Sequence, residues 1–304
     1  MSETQVLNPE TLPPDAQRII STKKIRARKR LSGWLVLLRV LSQFDAVTDD
    51  AYSKAVGKLI SSGVLIFICI FFLIFGLGIT EGNLIIVAIG VPIALFGIIR
   101  AIIYGIKASR LKKNDLSNDF RETVLPLLEI LSEDIQPKGK ILLDLDMGDA
   151  TNKQYKTSEK KLPPGRFKKL VETKYDIHCC SASVPLMNDT VLKLDISKEY
   201  ASYDRYYTNP RGKSKHKRKW KLLCVVTTAL VPAGDELAVS EDKVSDLVRS
   251  EKIKLREKKG EQVCRLTRKF KFKSADSDAP DDCVSPEAVI EMYMKLCSTL
   301  NAAS

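Results

Sequence analysis

Histidine is nearly missing from this chain. Only His178 and His216 occur in 304 residues, so chemistry that relies on imidazole has little to draw on. No HExxH helix, glycine-rich phosphate loop or nucleophile elbow occurs, and no repeat shows at periods of about 20–50 residues. The seven cysteines (Cys69, Cys179, Cys180, Cys224, Cys264, Cys283 and Cys297) are odd in number and irregular in spacing, which predicts free thiols in a reducing compartment. Charge is missing from one long stretch. Between residues 59 and 99 the sole charged side chain is Glu81.

What fills that stretch is two apolar runs, 59–80 and 82–99, the second prolonged to 106 if Arg100 lies at a bilayer edge. The first, 22 residues long, suffices to cross a hydrocarbon core roughly 30 Å thick at about 1.5 Å per residue. Two such runs joined by Thr80-Glu81-Gly82-Asn83 predict a transmembrane helical hairpin, because each span must satisfy its own backbone hydrogen bonds. Basic residues flank it on both outer sides: Arg39, Lys54 and Lys58 before, Lys107, Arg110, Lys112 and Lys113 after. The connection has none. Both termini are therefore expected to be cytoplasmic. A cleaved signal peptide does not fit, since the first run starts near residue 59 and a second follows.

The expected organisation is a disordered tail at 1–17, a basic amphipathic juxtamembrane region at 18–58, the hairpin at 59–106 with spans of about 59–80 and 83–106, and a cytoplasmic α+β domain at 107–304. In the juxtamembrane region the pattern reads as helical from Ile19 to Phe44: Leu31, Trp34, Leu35, Leu38 and Leu41 recur at helical spacing directly after Lys23, Lys24, Arg26, Arg28, Lys29 and Arg30. A basic stretch feeding an amphipathic helix with a Trp suits the headgroup boundary; packing on the protein itself is the plainer alternative.

After Pro137-Lys138-Gly139 the apolar period changes from helical to two. Strand patterns follow at 141–147, 167–183, 191–207, 220–231 and 261–273, then a helix opened by Ser285 and Pro286. Strands following strands predict a mainly antiparallel sheet. Net charge is +12, which suits an anionic membrane surface.

The densest cationic segment lies between two strand patterns. Tyr200, Tyr203, Tyr206 and Tyr207 lead into Asn209-Pro210-Arg211-Gly212, and Arg211, Lys213, Lys215, Lys217, Arg218, Lys219 and Lys221 place seven cations in eleven residues. A long hairpin with a cationic tip follows. Its partner is an anionic lipid headgroup or an acidic protein surface, unless the tip is merely solvated. Nucleic acid stacked on the tyrosines is the competing choice. No metal or other cofactor is expected: His178, Cys179 and Cys180 are adjacent along one strand, where neighbours point to opposite faces.

The segment LLDLDMGDATNK (142–153), the strand VLKLDI (191–196) and the basic turn NPRGKSKHK (209–217) resemble a loose group of uncharacterised bacterial membrane proteins. In that group a helical hairpin precedes a β-rich soluble domain with an RGK-x-K turn. The resemblance implies a bacterial plasma-membrane location and no activity. Asp144 and Asp146 also resemble the paired aspartates of haloacid-dehalogenase-like phosphatases, with Asp281-Asp282 as distal metal ligands. That Mg-dependent reading needs crossover helices after the motif, whereas the pattern offers only strands.

Overall fold

A computed structural model describes residues 11–79, 84–163, 165, 167–232, 237–239, 253–258, 261–274 and 282–302. The predicted connection at 80–83 lies outside the described residues, as do Asp281 and residues 1–10 of the expected tail. The chain divides into two compact units. One holds the N-terminal segment to Gln17 together with Leu41–Asp115; the other holds Arg18–Val40 and Leu116–Ser304.

The first unit is built from helices α2 (Leu31–Ile79) and α3 (Leu84–Asn114), α2 beginning in the second unit. Both are long and apolar enough to cross a membrane, and only 11% of either apolar window is buried within the protein. Phe67, Ile70, Phe71, Phe72, Ile74, Phe96, Ile99, Ile102 and Ile103 all stand exposed. The helices run antiparallel. A Cβ placed on Gly90 would lie 2.8 Å from Leu73 Cδ2, and one on Gly97 2.9 Å from Ile66 Cγ1. Missing side chains are thus what let the backbones approach, as small residues do where no hydrophobic drive separates helix from surroundings. Lys58 Nζ and the Arg100 guanidinium lie 5.2 and 5.7 Å from the Tyr104 ring centroid, which gathers the cations at one end of the apolar zone.

The second unit is an antiparallel sheet. Its strands are β1 (Lys24–Arg30), β2 (Lys140–Asp146), β3 (Lys156–Leu162), β4 (Lys169–Pro185), β5 (Thr190–Thr208), β6 (Ser214–Pro232), β8 (Ile253–Lys258) and β9 (Glu261–Ser274). They run in the order β1-β2-β4-β5-β6-β9-β8, with β3 pairing β4 beyond the end of β2. The short strands β7 (Leu237–Val239) and β10 (Leu300–Ala302) pair separately. One face is apolar by alternation: Leu192, Leu194 and Ile196 of β5 and Leu222, Cys224, Val226 and Leu230 of β6 are all buried. The π turn Phe120–Val124, α4 (Leu125–Ile130) and α5 (Pro286–Cys297) supply further buried side chains, among them Phe120, Leu127, Leu128, Val289, Met292 and Leu296. Ser285 Oγ accepts from Ala288 N at 3.3 Å with Pro286 in the first turn, as its sequence requires.

Three expectations change. The basic stretch before the apolar stripe is not helical: residues 24–30 form β1, an edge strand paired with β2 from Lys24↔Asp146 to Arg30↔Lys140. Alternation explains it, because Ile25, Ala27 and Lys29 face Leu145, Leu143 and Ile141. The Trp-bearing stripe packs on the protein rather than standing free. Trp34, Leu38 and Leu41 are fully buried, and Trp34 Nε1 donates to the Ile141 carbonyl at 3.0 Å. The expected tail at 1–17 is helical from Pro14, where α1 (Pro14–Thr22) begins with Ala16, Ile19 and Ile20 buried.

Candidate anion-binding end of the sheet

The β5–β6 hairpin continues past the packed core. From Tyr203↔Lys219 to Thr208↔Ser214 the pairing is regular. The turn is closed by Asn209 N to Lys213 O and Gly212 N to Asn209 O, each 2.9 Å, while Asn209 Oδ1 accepts from Lys213 N at 2.8 Å. Gly212 has φ +76, the left-handed conformation that side chains disfavour. Register then sorts the cations. Lys215, Lys217, Lys219 and Lys221 share the sheet's outer face, whereas Arg218 lies on the opposite face with His216.

Arg218 is committed locally. Its Nε donates to Asp204 Oδ1 at 2.7 Å, and His216 Nε2 sits 2.8 Å from the same oxygen. Partial burial opposes ionisation of Asp204, but the hydrogen bonds from Arg218 and His216 outweigh it and hold the carboxyl below its ordinary value. His216 also stacks on Tyr206 with centroids 4.5 Å apart. Arg211, Lys213, Lys215, Lys217 and Lys219 remain exposed.

A second hairpin joins this end. Because β3 pairs β4 from Leu162↔Leu170 onward and Lys169 pairs Tyr206, the β3–β4 turn lies beside the β5–β6 tip. Exposed Lys160, Lys161, Lys168 and Lys169 enlarge the patch. Lys169 Nζ lies 5.4 Å from the Tyr206 ring, and the Arg205 guanidinium lies 5.4 Å from the Phe167 ring. Sequence reading missed β3 because KTSEKKL has no apolar alternation; only its register against β4 reveals it.

The other predicted cluster is not at this end. Arg26 pairs Asp144, which pairs Ser181, so β1 lies twelve positions along β4 from Lys169, roughly 40 Å at about 3.3 Å per residue. Lys24, Arg26, Arg28 and Arg30 are exposed, while Lys23 and Lys29 are half-buried; Lys23 holds φ +55 at the junction of α1 and β1. Asp144 and Asp146 face these cations: Lys24 Nζ lies 2.8 Å from Asp146 and Arg26 Nε 3.7 Å from Asp144. Asp146 also accepts from Tyr155 Oη at 2.7 Å. Two carboxylates so engaged hold β1 and the loop after β2, and among the described residues no crossover helix follows them.

No family model, curated protein or solved structure matches this chain.

The packed face carries one polar cluster that sequence reading did not single out. Lys198, in mid-β5, reaches Asp119 with Nζ 2.8 Å from Oδ1 and both side chains buried. Ser117 Oγ donates to the other Asp119 oxygen at 2.9 Å. Burial alone would lower the Lys198 pKa, but the Asp119 carboxylate outweighs it and raises it. The thiols of Cys179, Cys224 and Cys283 are pushed up by burial, with the Asp119 charge adding to it. Cys179 is the extra residue of a β-bulge between His178 and Cys180, which is how Cys179 and Cys180 are both buried. This corrects the expectation that the two adjacent thiols point to opposite sides.

Proposed function

We propose that this is an integral membrane protein, spanning twice with both termini cytoplasmic, whose sheet domain docks on anionic lipid headgroups through the joined ends of the β3–β4 and β5–β6 hairpins. The observation that carries the reading is the register that puts Lys168 and Lys169 beside the tip bearing Arg211, Lys213, Lys215, Lys217 and Lys219. Among the described residues few acidic side chains offset them there, and Asp204 is already taken by Arg218. Near an anionic leaflet each such cation contributes roughly 1 kcal/mol.

The membrane assignment rests on the exposed apolar surface of α2 and α3, which water solvates poorly. A non-enzymatic role fits the engagement of Asp144 and Asp146 in holding β1. Nucleic acid is less well served, because Tyr206 is stacked on His216 and Phe167 packs edge-on against Tyr207.

The test uses full-length protein in nanodiscs of neutral phosphatidylcholine, floated with phosphatidylcholine vesicles with or without phosphatidylglycerol. Capture should require the anionic lipid and weaken with salt. Replacing Arg211, Lys213, Lys215, Lys217 and Lys219 with Gln should abolish it. Equal flotation with neutral vesicles, or an unchanged variant, sinks the proposal.

A further inference from the structure

On the outer face of the sheet, inward from the hairpin ends, a half-open trough of about 570 Å³ crosses β4, β5, β6 and β9. That volume suits a small organic ligand. Its floor is apolar at two adjoining points, Ala201 and Leu223. Its walls carry both signs: Glu172 and Lys174 of β4 also line it and pair with each other at 4.0 Å, and the remaining charges are segregated. On one side Asp176 and Glu199 are cross-strand neighbours, and on the other Lys221 is paired across the strands with Lys273, with Lys271 two residues along.

Like charges directly opposite one another destabilise a sheet, and here a pair of each sign occurs in one trough. Among the described residues none of these five groups has an ion-pair partner. Lys221 Nζ instead lies 5.0 Å from the Tyr203 ring. The β5 and β9 columns stand two strand spacings apart, roughly 10 Å. A ligand that carries both charges close together would relieve both pairs at once. An inorganic anion would relieve only the lysines.

We propose that this trough binds a phosphate ester bearing an ammonium group two carbons away, the phosphoethanolamine pattern. Lys221, Lys271 and Lys273 take the phosphate, Asp176 and Glu199 take the ammonium, and the linking carbons lie over Ala201 and Leu223. The inference stands apart from the hairpin-end reading: of the seven clustered cations it uses only Lys221, which that reading does not invoke. The ligand is either a lipid headgroup or a soluble ester of the same chemistry.

The experiment is calorimetric titration of the full chain, in nanodiscs free of ethanolamine lipids, with O-phosphoethanolamine, inorganic phosphate and ethanolamine. O-phosphoethanolamine should bind at least tenfold more tightly than either fragment. Lys271→Gln with Lys273→Gln should weaken it tenfold or more. Glu199→Gln should erase the preference over inorganic phosphate while leaving phosphate binding in place. These side chains face solvent, and an unchanged melting temperature verifies that the variants fold. Flotation with vesicles containing phosphatidylethanolamine then separates the sources: capture means a headgroup, and titration without capture means a soluble ester. Equal affinity for phosphate and O-phosphoethanolamine, no saturable binding, or variants indistinguishable from wild type would overturn it.

Discussion

Lys198 and Asp119 form an ion pair inside the apolar face of the sheet, their side chains 1% and 9% exposed. Two charges removed from water in this way are tolerable only together. Removing one leaves the other desolvated, typically at a cost of about 3–5 kcal/mol, whereas replacing both with apolar groups is often neutral. Lys198→Met should therefore destabilise the sheet unit by about that amount, and Lys198→Met with Asp119→Leu should recover most of it. Guanidinium unfolding followed by tryptophan fluorescence reads this unit selectively, because both tryptophans, Trp34 and Trp220, belong to it. A double variant no better than the single would show that the pair does more than compensate itself.

The thiols around that pair should be chemically silent. Burial pushes Cys224 up to about 12, so its thiolate fraction at pH 8 is on the order of 10⁻⁴. Cys179 and Cys180 are raised by burial as well. Brief N-ethylmaleimide treatment of the folded protein, read by peptide mass spectrometry, should spare Cys179, Cys180, Cys224 and Cys264. The half-exposed Cys283 and Cys297 should react slowly, and all six should react after unfolding. Rapid native labelling of Cys224 would mean that the packed face opens.

The hairpin end should loosen in acid. The Asp204 carboxyl is held below its ordinary value in the folded protein, so its contribution is fully present above the ordinary carboxylate range and is lost as pH falls through the lower folded value. The group is partly exposed, which limits the effect to about 1 kcal/mol. Hydrogen exchange at Tyr206 and Lys217 should rise below about pH 4. Asp204→Asn should show that raised exchange already at pH 7 and lose the pH dependence.

Most of the sheet could be read from period-two alternation: β5, β6 and β9 stand where the apolar residues of 191–207, 220–231 and 261–273 put them. So could α5, from its Ser-Pro start. What escaped has a common physical cause. The pairing of β1 with β2 joins residues more than a hundred positions apart, and its stretch carries a charge at most positions, so local pattern gave no strand signal. Lys198 sits at an inward position flanked by Ile196 and Tyr200, a charge in an apolar frame. That conflict was the available signal, and only Asp119 across the core explains it. The tip cations were legible as a cluster; the lysines of β3 and the β3–β4 turn that join them depend on register alone.

Gly97 tests the packing of the two apolar helices. Its place against Ile66 leaves no room for a side chain: even a methyl would meet Cγ1 at 2.9 Å. Gly90 repeats the arrangement against Leu73, seven residues away on each helix, so the two contacts lie on one seam. A single methyl can be absorbed by rotation of Ile66, and Gly97→Ala should be mild. Gly97→Ile demands separation of the backbones and should destabilise the hairpin by about 1–3 kcal/mol, the usual range for overpacking. Ile66→Ala in the same chain should restore stability by vacating the space, although alone it leaves a gap and destabilises. Controlled unfolding in detergent followed by circular dichroism measures all four proteins. Opposite signs for Ile66→Ala in the two backgrounds identify the contact, whereas additive losses would place Gly97 away from Ile66.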